Sequence, residues 1–164
     1  MALAVVALGS NLGDRAANLR VALDRLRGVM TLERVSSLYD TEPVGYAAQP
    51  PFLNAVALGR SCLPPHALLR ALHGIELDLG RARTFRNAPR TLDLDLLFYD
   101  GLLLDTPELS LPHPRLHERF FVLVPLAEIA PDLIHPRLGQ SVRELLAQLG
   151  PPAGIRRADL SGRL

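Results

Sequence analysis

The chain has 164 residues, is 48% hydrophobic and carries a formal net charge of +1. That is enough apolar chain for one cored domain spanning residues 1–164, and it argues against a disordered chain. The near balance of charge excludes a chain built as a whole to coat nucleic acid or an anionic membrane.

The single cysteine, Cys62, rules out an internal disulfide and fits a reducing compartment. Its expected role is a small apolar filler at a strand end. All 18 basic side chains are Arg. Every cation is therefore a planar fork suited to phosphate oxygens, and no P-loop or Schiff-base lysine can exist. Residues 1–8 are apolar but lack a basic leader and are too short to span a bilayer. A buried strand and a soluble, cytoplasmic, monomeric protein are expected.

Residues 3–8 read as the first strand. Gly9-Ser10-Asn11 turns the chain, with Ser10 or Asn11 as the expected helix cap. Leu12, Ala16, Leu19, Leu23 and Leu26 follow at helical spacing, and Gly28 ends the run. Residues 29–39 read as a second strand. A long turn-rich loop, 41–51, leads to a third strand, 52–58, whose alternation puts Phe52, Asn54 and Val56 on one face. Pro64-Pro65 opens a second helix with an apolar stripe of Leu68, Leu72, Ile75 and Leu79, ended by Gly80. An arginine-bearing loop, 81–91, precedes a fourth strand, 92–98. Asp100-Gly101 predicts a hairpin into Leu102-Leu103-Leu104. Residues 115–130 read as partly helical, interrupted by Pro125. Ser141-Val142-Arg143-Glu144 is a capping box for a last helix ending near Gly150. The order β-α-β-β-α-β predicts an α+β fold: a ferredoxin-like antiparallel sheet with helices on one side and C-terminal additions.

The chemistry concentrates in Leu92-Asp93-Leu94-Asp95-Leu96. On a strand the leucines point into the core, and Asp93 and Asp95 share the other face, about 7 Å apart at Cα. Asp is disfavoured in strands, and two neighbouring like charges repel. A cation between them removes the penalty, and hard oxygen ligands suit magnesium, which takes one or two carboxylates plus substrate phosphates. A solvated outer face would explain the pair equally well. Upstream, Arg81, Arg83, Arg86 and Arg90 fall within ten residues with no acid among them. Arginine forks beside a two-carboxylate metal site are the parts of a phosphoryl-type transfer site.

His113 lies between two prolines in a stiff segment and is able to donate to a phosphate, although a lone loop histidine is more often structural. His135 reads as structural. Phe52 and Asn54 could hold a flat heterocycle by stacking and amide pairing, or could be core and strand-edge groups. His73 and Glu76 flank the second helix's apolar stripe, and the residues alone leave open whether they face a nucleotide or water.

The block Arg86-Asn87-Ala88-Pro89-Arg90-Thr91-Leu92-Asp93-Leu94-Asp95-Leu96-Leu97 resembles the signature of the 6-hydroxymethyl-7,8-dihydropterin pyrophosphokinases of folate biosynthesis. Further blocks agree in order over residues 2–136, among them Ala7-Leu8-Gly9-Ser10-Asn11-Leu12-Gly13, Phe52-Leu53-Asn54-Ala55, Gly80-Arg81-Ala82-Arg83 and Leu111-Pro112-His113. The resemblance implies transfer of pyrophosphate from ATP to the pterin's hydroxymethyl oxygen, with AMP leaving. It implies two magnesium ions on Asp93 and Asp95. Arg81 and Arg90 would steady the transferred group. Arg83, Arg90, His113 and Arg119 would hold ATP phosphates, with His73, Glu76 and Leu96 near the nucleoside. Phe52 and Phe121 would sandwich the pterin, and Asn54 with the backbone near Thr41, Pro43 and Val44 would read its polar edge. Loops at about 44–50 and 81–90 would close to exclude water. Two departures stand out: the arginine loop has no Trp, leaving Phe85 or Asn87 in its place, and Pro114 follows His113 where other members have Tyr. The competing expectations are an RNA-binding sheet module, which the carboxylate pair disfavours, and a metal-dependent phosphohydrolase built from the same parts.

Overall fold

The computed structural model describes residues 1–42, 50–80 and 91–158. The elements run β1 (Ala2–Ser10), α1 (Arg15–Leu26), β2 (Thr31–Val35), β3 (Tyr39–Thr41), β4 (Phe52–Ser61), α2 (Pro65–Asp78), β5 (Asp93–Tyr99), β6 (Leu104–Asp105), β7 (Ser110–Leu111), a 3₁₀ turn (Leu116–Glu118), α3 (Phe120–Ile129), α4 (Val142–Leu149) and β8 (Ile155–Arg157). The main sheet is antiparallel, in the order β5-β1-β4-β3-β8, with β2 also pairing β4.

The central strands dictate the layering. β1 and β4 are buried along almost their whole length. Strands apolar on both faces need cover on both faces. One core joins Ala4, Val6, Leu8, Leu53, Ala55, Ala57, Leu94 and Leu96 to α1 and α2. The other joins Val5, Val56, Leu58, Leu97 and Phe98 to α3 and α4. The expected helices on one side are thus half the answer, because the C-terminal additions form the second layer. Leu97 and Phe98 reach the same core because the β1–β5 register shifts between Val5 and Val6.

Several local expectations change. α1 is capped by Asp14, which accepts from the Ala17 N–H at 3.1 Å, and not by Ser10 or Asn11. Gly13, at φ 67°, carries the turn past those two residues, which are buried and bonded elsewhere. The second strand is split at Ser36. Its hydroxyl accepts from the Val56 N–H at 2.9 Å, so a side chain takes the place of a ladder carbonyl. Asp100-Gly101 does turn the chain, but Asp100 is held by β1, donating to the Leu3 carbonyl and accepting from the Leu3 N–H. Leu104 pairs with Leu111 instead of returning along β5. Cys62 is exposed and fills no core position. Pro125 lies inside α3 without ending it. The Ser141–Glu144 box is present with both of its bonds. His135 is buried, its Nδ1 accepting from the Arg137 and Leu138 N–H groups, as a structural role requires.

Candidate active site

Three successive rungs across β4, β1 and β5 build the site. The first is Leu58, Val5 and Phe98, the second Val56, Ala7 and Asp95, the third Asn54, Gly9 and Asp93. All project toward the α3–α4 side, where Val5, Val56, Leu58 and Phe98 join the apolar core. Along the rungs the flanking residues turn from apolar to polar while the β1 residue shrinks from Val to Ala to Gly. At Gly9 an added Cβ would stand 2.7 Å from Asn54 Oδ1 and 3.5 Å from Phe52 Cδ1. The missing side chain lets the Asn54 amide lie over β1, toward the aspartates.

Asn54 donates to Thr41 Oγ1, and both are buried. That bond uses one N–H, and the Asn54 amide keeps a second N–H donor and its carbonyl acceptor. Phe52 is opposite Thr41 in the ladder. Phe121 lies in the first turn of α3, with the Arg119 guanidinium 5.3 Å from its ring centroid. Thr41, Arg119 and Phe121 share a cavity of about 350 Å³.

Arg119 also feels both aspartates. Burial pushes its pKa down, and Asp95 and Asp93 pull it back up. His113 is driven down to about 4 by burial first and then by Arg119, against an upward pull from Asp93. Its imidazole is therefore neutral at physiological pH. Its Nδ1 accepts from the Arg115 N–H at 3.2 Å, which leaves the proton on Nε2. His113, His73, Asp95 and Leu96 line a second cavity of about 280 Å³.

Glu76 is fully buried, its Oε2 accepting the Leu94 N–H at 2.7 Å. It thus grips the backbone of the residue between the two aspartates. The expected Pro43, Val44, Arg81, Arg83 and Arg90 lie outside the described residues, as do Phe85 and Asn87. Of the other expected residues, the structure brings Asp93, Asp95, His113 and Arg119 into one electrostatic cluster, and gathers Thr41, Phe52 and Asn54 on the neighbouring strands.

Sequence reasoning missed Gly9 and Asn18. The Asn18 Nδ2 donates to Ser10 Oγ, to the Leu12 carbonyl and to the Thr91 carbonyl, at 3.1, 2.9 and 3.3 Å. It ties the β1–α1 turn to the segment entering β5. Its only sequence signal is a polar amide between apolar positions of a helix.

A magnesium ion fits the donor set. Among the described residues no group of three or more His, Cys, Asp or Glu side chains gathers as a metal cluster. Magnesium on a nucleotide does not need one, because two carboxylates plus phosphate oxygens and water complete its shell. Asp93 and Asp95 supply such a pair from one strand face.

A sequence profile described as 7,8-dihydro-6-hydroxymethylpterin-pyrophosphokinase matches residues 5–131. The chain belongs to this pyrophosphokinase family. Membership bears out the resemblance carried by the Arg-Thr-Leu-Asp-Leu-Asp block. The chain is 46% identical over 162 residues to the 2-amino-4-hydroxy-6-hydroxymethyldihydropteridine pyrophosphokinase of Methylorubrum extorquens, covering 97% of this chain and 100% of that one. It is 47% identical to the protein of the same name from Pseudomonas aeruginosa, with 93% and 94% covered. It also matches a folic acid synthesis protein of Dictyostelium discoideum at 43% identity, covering 81% of this chain. The chain spans about a fifth of the length of that protein, 20%, and of its fission-yeast counterpart, 21%. A crystal structure of Plasmodium falciparum HPPK-DHPS superposes with a TM-score of 0.73 at 16% identity, covering 90% of this chain and 45% of that one, which shows a shared pyrophosphokinase-type fold. No helix among the described residues is long and apolar enough to cross a membrane.

Proposed function

We propose that the chain transfers the terminal pyrophosphoryl group of ATP to the hydroxymethyl oxygen of 6-hydroxymethyl-7,8-dihydropterin in folate biosynthesis. The acceptor oxygen attacks the β-phosphorus, the bond from that phosphorus to the oxygen of the α-phosphate breaks, AMP leaves and the hydroxyl proton passes to solvent. The observation that carries this reading is the third rung. Asn54, suited to a heterocycle's polar edge, and Asp93, suited to a metal-bound triphosphate, flank a β1 residue without a side chain.

In this reading Asp93 and Asp95 would hold two magnesium ions, which when bound would supply neutralisation of the triphosphate and a lowered pKa for the acceptor hydroxyl. Arg119, kept cationic beside the aspartates, and the neutral His113 bind phosphate oxygens from the α3 side. Arg81, Arg83 and Arg90 complete the phosphate contacts, with Arg81 and Arg90 on the transferred group. His73 and Leu96 take the nucleoside, and Glu76 serves it by fixing Leu94. Phe52 and Phe121 stack on the pterin, and Asn54 with the backbone at Thr41, Pro43 and Val44 reads its edge. The core order β5-β1-β4-β2 supports a ferredoxin-like description. The chain acts as a single-domain, cytoplasmic monomer on small molecules, with no nucleic-acid or membrane partner.

Incubation with ATP, magnesium and the hydroxymethyl dihydropterin tests the reaction. AMP and pterin pyrophosphate are expected in equal amounts. ADP in place of AMP would sink the proposal. AMP and free pyrophosphate formed without acceptor would favour a phosphohydrolase.

A further inference from the structure

β8 lies downstream of residues 5–131, the stretch that matches the family. It adds a strand beyond β3, setting Ile155 opposite Thr41, Arg156 opposite Asp40 and Arg157 opposite Tyr39. Two fasteners hold it there. At its start the Glu42 N–H donates to the Gly154 carbonyl at 2.9 Å. Gly154 sits at φ 70°, a backbone conformation that favours glycine, and an added Cβ would stand 3.0 Å from the movable Glu42 Oε2. At its end the Arg157 guanidinium lies 5.9 Å from the Tyr39 ring centroid and 3.8 Å from Glu128 Oε2. The Tyr39 hydroxyl donates to the same carboxylate at 2.8 Å. Tyr39 in turn is the ladder partner of Asn54.

Around the first fastener, residues 153–155 line the 350 Å³ cavity that Thr41, Arg119 and Phe121 also line. The wall is low because Ala153 and Gly154 have almost no side chain. β3 stands between this wall and Asn54, with Thr41 bonded to the Asn54 amide.

We propose that residues 153–155 form the outer wall of the pterin-binding end of the site, so that side-chain size at position 153 sets what fits between Thr41 and Phe121. The proposal rests on the reading of Thr41, Asn54 and Phe121 as pterin-binding residues. It assigns the C-terminal strand a role in acceptor specificity and none in nucleotide binding. Residues 153–155 do not line the cavity formed by His73, Asp95, Leu96 and His113, and of the residues read as phosphate-binding they share their own cavity with Arg119.

The test is Ala153→Trp in the full chain, at an exposed position where a large side chain does not enter the core. The KM for the pterin should rise about tenfold while the KM for ATP changes less than about twofold. The midpoint of thermal unfolding should stay where it was. Ala153→Ser should behave as the unmodified chain. Gly154→Ala, which displaces the wall without filling the cavity, should also raise the pterin KM selectively. An unchanged pterin KM in Ala153→Trp, or equal rises for both substrates, would overturn the proposal. Failure of the underlying reading looks different, because the unmodified chain would then neither bind the pterin beside an unreactive ATP analogue nor form AMP.

Discussion

The first and third rungs of the sheet have the same geometry and opposite contents. Leu58, Val5 and Phe98 are an interdigitated apolar row under α3 and α4, whereas Asn54, Gly9 and Asp93 are two polar residues around an empty centre. They stand four positions apart on β1, with three residues between them. The contrast shows a division of labour along a single set of strands. One end is filled to make the fold stable, and the other leaves a β1 side chain out and sets polar groups on either side of the gap.

The contrast is tested most severely by a pair of alanine variants. Asp95→Ala should lower kcat by about a thousandfold or more, about 4 kcal/mol of transition-state stabilisation, with the fold retained. Phe98→Ala, one rung away, should do the reverse and cost about 3–5 kcal/mol of unfolding free energy. Circular dichroism melts beside single-turnover kinetics measure both. Near-normal turnover in Asp95→Ala would remove the metal assignment, and an undiminished melt in Phe98→Ala would remove the packing argument.

Gly9→Ala comes next in size. The added methyl must displace the Asn54 carbonyl oxygen, so the pterin KM should rise by about tenfold with a smaller change in the KM for ATP. A variant with unaltered pterin binding would mean that the empty centre has no bearing on the acceptor.

The smallest effect lies at the seam between α3 and β3. Burial raises the Glu128 pKa, but bonds from Tyr39 and Ser37 outweigh it and leave the carboxyl below its ordinary 4.5. A carboxyl depressed in the folded state stabilises fully above that ordinary value, and its contribution fades as pH falls through the folded value. Glu128→Gln should therefore melt about 1–3 °C lower at pH 7, the carboxylate being partly exposed, with the gap closing as the pH falls through the lowered pKa of Glu128. A gap independent of pH would show that shape, not charge, holds the seam.

Much of this was legible in the sequence because it rests on local rules. The alternation of Leu92 to Leu96 places both aspartates on one face, and the Ser141–Glu144 box starts α4 where the spacing says. The second helical layer was hidden, because nothing in a short apolar run such as β4 tells whether one face or both are covered. The roles of Gly9 and Asn18 were hidden for another reason. They depend on partners 45 and 73 residues away, Asn54 and Thr91, which only strand register and helix packing bring near. Glu76 was undecidable from helical spacing alone, since its partner is a backbone N–H on β5.

That last bond has a consequence for how the molecule behaves in a crowd. β5 ends the sheet on its side, and a bare strand edge is a template on which another chain can pair. Glu76 occupies the Leu94 N–H, and the His113 N–H occupies the Leu97 carbonyl at 2.9 Å. The strand that carries the aspartates can thus sit at the rim of the sheet, open to substrates, without offering that rim to a neighbouring molecule as a seed for aggregation.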